Sequence, residues 1–137
     1  MLKTFTLGVV ALLLLGLVAA CGKSTESQVS VDLSEWSIKP SVASVRAGKV
    51  TFTVHNVGSI EHEVVLLKTD LAPDRLTLKA DGTQVDEEAL NNVGEVPDLD
   101  KGETKTGTFD LAPGRYELVC NVPGHYKSGM VTEFQVK

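Results

Sequence analysis

The chain has 137 residues, 42% of them apolar and 23% charged, with a formal net charge of −5. That length accommodates one domain around one core. No basic stripe or Arg cluster interrupts the acidic balance, which argues against a nucleic-acid partner; an acidic surface suits a basic protein partner, or solubility alone.

Met1–Thr4 carries one positive charge, Lys3. Phe5–Ala20 is an apolar run too short and too poorly flanked for a permanent spanning helix. It ends in Ala19-Ala20, directly before Cys21, which predicts a secretory signal over residues 1–20. Leu17-Val18-Ala19-Ala20-Cys21 resembles a bacterial lipobox, with Val18 where Leu is commoner. The resemblance implies that the Cys21 thiol is diacylated and the chain is cut just before it. The alternatives are a plain signal peptide with a stray cysteine, or a short N-terminal anchor. Removing residues 1–20 takes one lysine and no acid, leaving 12 basic against 18 acidic side chains, a net charge of −6. Gly22–Ser30 is small and polar and is expected to be a tether reaching roughly 30 Å at most. The organisation expected is a lipoprotein signal peptide over 1–20, a lipidated Cys21 and polar tether over 21–30, and one domain over 31–137.

From Val31 the pattern is that of a β protein. Val31, Leu33 and Trp36 begin a strand-like segment ending at Pro40, with Trp36 expected as core filler near the bottom of a sandwich. Ser41–Ala47 is a short edge-like piece and Gly48 a turn. Val50, Phe52 and Val54 alternate with Thr51, Thr53 and His55, which puts His55 on the polar face as a solvated histidine. Asn56–Glu61 has turn chemistry at Asn56 and Gly58. His62 then heads the run Val64–Leu67, apolar on both faces as in a strand buried between layers. A capping histidine in a turn is the plain alternative for His62.

Residues 68–101 are polar, with Pro73, Gly82 and Pro97. They are expected to form an excursion across one side of the sandwich, with a short helical turn over Asp86–Asn91. Thr104–Leu111 alternates again, and Pro113-Gly114 makes a tight turn. In Arg115–Cys120, Tyr116, Leu118 and Cys120 share one face, and Arg115 and Glu117 the other. Met130, Thr132, Phe134 and Val136 share a face of the last strand. Short strands, frequent turns and little helix predict an all-β, antiparallel Greek-key β-sandwich.

The chemistry concentrates at Cys120–Met130, where Cys120, His125 and Met130 are separated by four residues each. In an exported chain with Cys21 lipidated, Cys120 lacks a partner. It is then a buried inert thiol, an inter-chain partner or a metal ligand. Its neighbours decide: with His62, they complete two histidines, one thiolate and one thioether, the ligand set of a blue-copper site. His62, Cys120 and His125 would make the trigonal plane and Met130 the weak axial ligand. Pro123-Gly124 and Gly129 let the loop turn.

Cys-x4-His-x4-Met after Asn-x-Gly-x3-His resembles the cupredoxins, with loop spacing similar to that of auracyanins and rusticyanin. The resemblance covers about Val29 to Lys137. It implies a cupredoxin-like fold, one copper ion cycling between Cu(I) and Cu(II), His125 as the electron port, and a docking face of Val122, Pro123, Tyr126 and Lys127 around it. A non-enzymatic, monomeric electron carrier is expected, which the lipobox resemblance would hold at a membrane by its lipid, facing the periplasm or cell exterior. Its partners would be redox proteins such as a cytochrome or a terminal oxidase. Glu63 departs from the Asn or Ser often found after the first ligand histidine; a carboxylate pointing inward there would favour Cu(II). Copper storage or delivery is the alternative function, though no Met- or His-rich tract supports it. Catalysis of the multicopper kind would need further histidines, and only His55 remains.

Overall fold

Alternation along the strands decides the architecture, because each strand has one face that must be covered. The computed structural model describes residues 26–137. The expected signal sequence, the expected lipidation site at Cys21 and residues 22–25 of the expected tether lie outside the described residues. The described chain forms two packed sheets. β1 (Ser27–Ser34), β2 (Ser37–Pro40), β4 (Gly48–Asn56) and β7 (Thr104–Leu111) make one, in the order β2-β1-β4-β7. β3 (Ser44–Val45), β5 (His62–Lys68), β6 (Asn91–Leu99), β8 (Gly114–Val119) and β9 (Val131–Val136) make the other, in the order β3-β9-β8-β5-β6. Most pairs are antiparallel, but β1 runs parallel to β4 and β3 parallel to β9.

The space between the sheets is filled by the inward faces that alternation predicts. Val29, Val31 and Leu33 of β1 meet Val50, Phe52 and Val54 of β4, and Leu66, Leu118 and Phe134 close from the other sheet. Phe52 and Phe134 pack edge to face across the gap, with centroids 5.5 Å apart. His55 is exposed, 3.9 Å from Asp32 of the neighbouring strand.

A second apolar cluster lies on the outer face of the five-stranded sheet. Val65, Leu67, Val119 and Tyr126 are buried there beneath Leu76 and Val85 of the 69–90 segment. This explains why β5 is apolar on both faces: one side meets the other sheet and the other is roofed by the excursion. Glu117, which alternation had assigned only to the face opposite Tyr116, is fully buried as well.

Four expectations are corrected. The first strand begins at Ser27, inside the presumed tether. Its outward residues are Ser and Gln, so only Val29 marks those positions as strand, and even Glu26 accepts a 2.7 Å hydrogen bond from Thr51. Residues 91–99 form an edge strand, β6, rather than part of a loop, and pair with β5 through two register shifts. Asn91, Gly94 and Pro97 hide it, because such residues are tolerated at edges and bulges. The turn before it, over 87–90, is not helical. Finally, Trp36 is not core filler. It is 46% exposed and stands beside His125.

Candidate metal centre

One end of the sandwich brings together the ends of three strands. His62 opens β5, Cys120 follows β8, and Met130 precedes β9. The loop between Cys120 and Met130 holds its own shape by backbone hydrogen bonds. Cys120 N–H donates to Met130 O at 3.1 Å and Met130 N–H to His125 O at 3.2 Å. Tyr126–Ser128 is a single 3₁₀ turn, closed by Gly129 in the left-handed region at φ 103°.

Outside contacts fix the loop further. Asn121, buried, receives Val85 N–H at 2.6 Å and donates to Val85 O at 3.1 Å and to Glu87 at 2.6 Å. Gly124 N–H donates to Thr83 O at 2.8 Å. Tyr126 donates its hydroxyl to Pro73 O at 2.7 Å and accepts from Leu76 N–H at 3.1 Å. The excursion therefore buttresses the ligand loop. On the opposite side, Asn56 braces the turn before His62 through Ile60 O at 2.7 Å and Leu99 O at 2.8 Å.

These braces bring three donor atoms within 4.8 Å of one another: those of His62, Cys120 and His125, all buried. His62 Nδ1 and His125 Nδ1 are 3.3 Å apart, and Cys120 Sγ lies 3.8 and 3.3 Å from them. Ligands about 2.0–2.3 Å from a shared, tetrahedrally sized ion stand roughly 3.5 Å apart in a plane, so the spacing fits a bound cation. Met130 is wholly buried in the core cluster that contains Cys120.

Burial holds all three donors in their uncharged forms. Burial pushes the Cys120 thiol up to about 11, against the N–H groups of Glu63 and Val122 directed at the sulfur. Burial also lowers the pKa of His62 and His125, with the neighbouring His62 adding to the effect at His125. Neutral imidazoles are the ligand form of histidine, and a metal drives off the thiol proton as it binds. Glu63 acts on the sulfur in two opposed ways: its main-chain N–H lowers the thiol pKa and its carboxylate charge raises it. Its carboxyl receives Asn121 N–H among Glu87, Glu95 and Asp98, and burial with these like charges raises it to about 7.

Residues 34–137 match the sulfocyanin (SoxE) domain. The chain belongs to the sulfocyanin domain family. The donor set and the family together make it a cupredoxin of the type 1, blue-copper kind, holding a single copper ion. No curated protein sequence matches it. Among solved structures it is similar to a dithionite-reduced auracyanin from the photosynthetic bacterium Roseiflexus castenholzii, with a TM-score of 0.64 and 23% identity over 81% of this chain and 97% of that one. Auracyanin A, a blue copper protein from Chloroflexus aurantiacus, gives 0.59 and 23% over 82% and 100%. Rusticyanin from Thiobacillus ferrooxidans gives 0.60 and 17% over 82% and 77%. At these identities the likeness concerns the fold.

The docking residues expected around His125 in this sulfocyanin domain divide. Pro123 and Lys127 are exposed and Val122 is half-buried. Tyr126 is corrected: it is 9% exposed, with its ring in the outer core cluster and its hydroxyl bound to the excursion. Alternation does not extend into a 3₁₀ turn, so nothing local marked that ring as inward. His125 is 7% exposed, and the Trp36 ring meets it edge-on at 5.1 Å. Sequence reasoning missed Glu35 and Trp36, since an isolated Glu-Trp pair at a strand end carries no local signal of a metal site.

Proposed function

We propose that this sulfocyanin domain is a one-electron carrier whose copper is held by His62, Cys120, His125 and Met130. One observation carries the reading: the three strong donors are buried and already within 4.8 Å of one another. Copper bound there supplies the Cu(I)/Cu(II) couple. The chain's own part is to keep the donors still. The Cys120–Met130 and His125–Met130 backbone hydrogen bonds, and the Asn121 and Tyr126 ties to the excursion, oppose ligand movement when charge changes. The N–H groups of Glu63 and Val122 stabilise the thiolate once its proton has left. Water is kept from Cys120 by the core, and the Trp36 ring lies against His125, which is 7% exposed.

The carrier is exported, lipidated at Cys21 and tethered by residues 22–26, which span about 18 Å at most. From that position it exchanges electrons with a redox protein such as a cytochrome or a terminal oxidase. The site, closed by four donors, favours electron transfer over catalysis.

Copper(II) added to the isolated protein is expected to give an intense thiolate-to-copper visible band, absent in Cys120→Ser, and a reversible one-electron wave by voltammetry. A blue protein without that wave, losing Cu(I) rapidly to a chelator, would replace this reading with copper storage or delivery.

A further inference from the structure

The turn between β1 and β2 reaches both candidate copper histidines with two consecutive residues. His62 is wholly buried and turns Nδ1 toward His125 and Cys120, so Nε2 faces away from the donor cluster. Nε2 is buried without a hydrogen-bond partner, an unusual state for an imidazole nitrogen. The carboxylate of Glu35 lies 3.6 Å from it, close enough for a charge interaction though long for a hydrogen bond.

That carboxylate is not free to wander. Glu35 Oε1 accepts Ser59 N–H at 2.7 Å, Ser59 Oγ–H at 3.2 Å and Ile60 N–H at 3.1 Å. A Cβ at position 58 would come within 2.7 Å of the same oxygen, so Gly58 leaves the space it occupies. The next residue, Trp36, sets its ring against His125.

We propose that Glu35 is a positioning residue for the copper site. It keeps the proton of His62 on Nε2, so that Nδ1 presents its lone pair to the metal. Its fixed negative charge, behind a ligand imidazole, biases the centre toward Cu(II), as a carboxylate beside a ligating histidine does. This rests on the copper-carrier reading above for its redox part, but the tautomer of His62 can be read without copper.

The competing explanation is that Glu35 merely closes the 58–60 turn, for which its three hydrogen bonds suffice. Glu35→Gln separates the two, because the amide oxygen can still accept those bonds while the charge is gone. Ring-nitrogen NMR of the copper-free protein is expected to show His62 as the Nε2–H tautomer in the wild type and as a mixture in Glu35→Gln. The reduction potential of the loaded protein is expected to move to more positive values in Glu35→Gln and to return toward the wild type in Glu35→Asp. Gly58→Ala, which displaces the carboxylate without changing it, is expected to shift the tautomer in the same direction as Glu35→Gln.

A wild-type His62 carrying its proton on Nδ1 would overturn the proposal even if every variant failed to fold. So would a Glu35→Gln protein with unchanged tautomer and unchanged potential. A wild type that binds no copper would end the carrier reading and leave the tautomer result standing.

Discussion

Glu117→Gln tests whether a buried charge makes this domain weaker as pH rises. Glu117 sits at the middle of β8, fully buried, paired with Leu67 of β5 and Glu133 of β9 in the sheet. Its Oε1 lies 3.3 Å from Arg115 Nη2, while Oε2 has no hydrogen-bond partner. Burial raises its pKa from 4.5 to about 7; Arg115 opposes the rise and Glu133 adds to it. A carboxyl whose folded pKa lies above its unfolded value binds more protons in the folded state between the two. Its destabilising effect is therefore absent below about pH 4.5, grows as pH rises through 7, and is constant above that. The full effect is on the order of 3 kcal/mol, or roughly 10 °C in Tm for a domain of this size. Arg115 keeps Glu133 at 3.0 Å in the variant, so the substitution does not strand the guanidinium.

Urea denaturation of copper-free wild type and Glu117→Gln, from pH 4.5 to 8, measures the effect. The two are expected to be similarly stable at pH 4.5, with the variant ahead by on the order of 3 kcal/mol at pH 8. Glu63, also raised to about 7, contributes its slope to both proteins and cancels in the difference. A pH-independent difference would refute the reasoning.

Asn121→Ala removes the partners of Val85 N–H and C=O in a buried setting, a loss on the order of 3 kcal/mol by denaturant midpoint. The same variant is expected to speed hydrogen exchange at Val85. Gly94→Ala would push a methyl group into the Phe109 ring where β6 and β7 meet, and is expected to cost about 1–3 kcal/mol by thermal melting. An unchanged Tm would mean that the Phe109 ring moves aside freely.

Much of the fold was legible because period-two alternation in β4, β8 and β9 is a local property of the chain. Val50, Phe52 and Val54 have to face one way whatever they meet. The edge strand β6 was not legible, since Asn91, Gly94 and Pro97 are poor strand formers that persist there only because β5 supplies a partner. Tyr126 was misassigned for a related reason: only the excursion that folds back over it makes it interior. The burial of Glu117 is likewise invisible in a strand that reads as alternating.

The loop from Cys120 to Met130 was written in the sequence, as thiolate, imidazole and thioether at even spacing. So was the presence of His62 upstream, at the entrance to an apolar strand. The distances among the donors belong to tertiary structure, because His62 and Cys120 are 58 residues apart and meet only when β5 pairs with β8. What stands behind those donors belongs there too. Asn121, Tyr126, Glu35 and Trp36 act on the site through contacts made across strands and turns. Their chemistry depends on burial and neighbours, which no local spacing in the chain records.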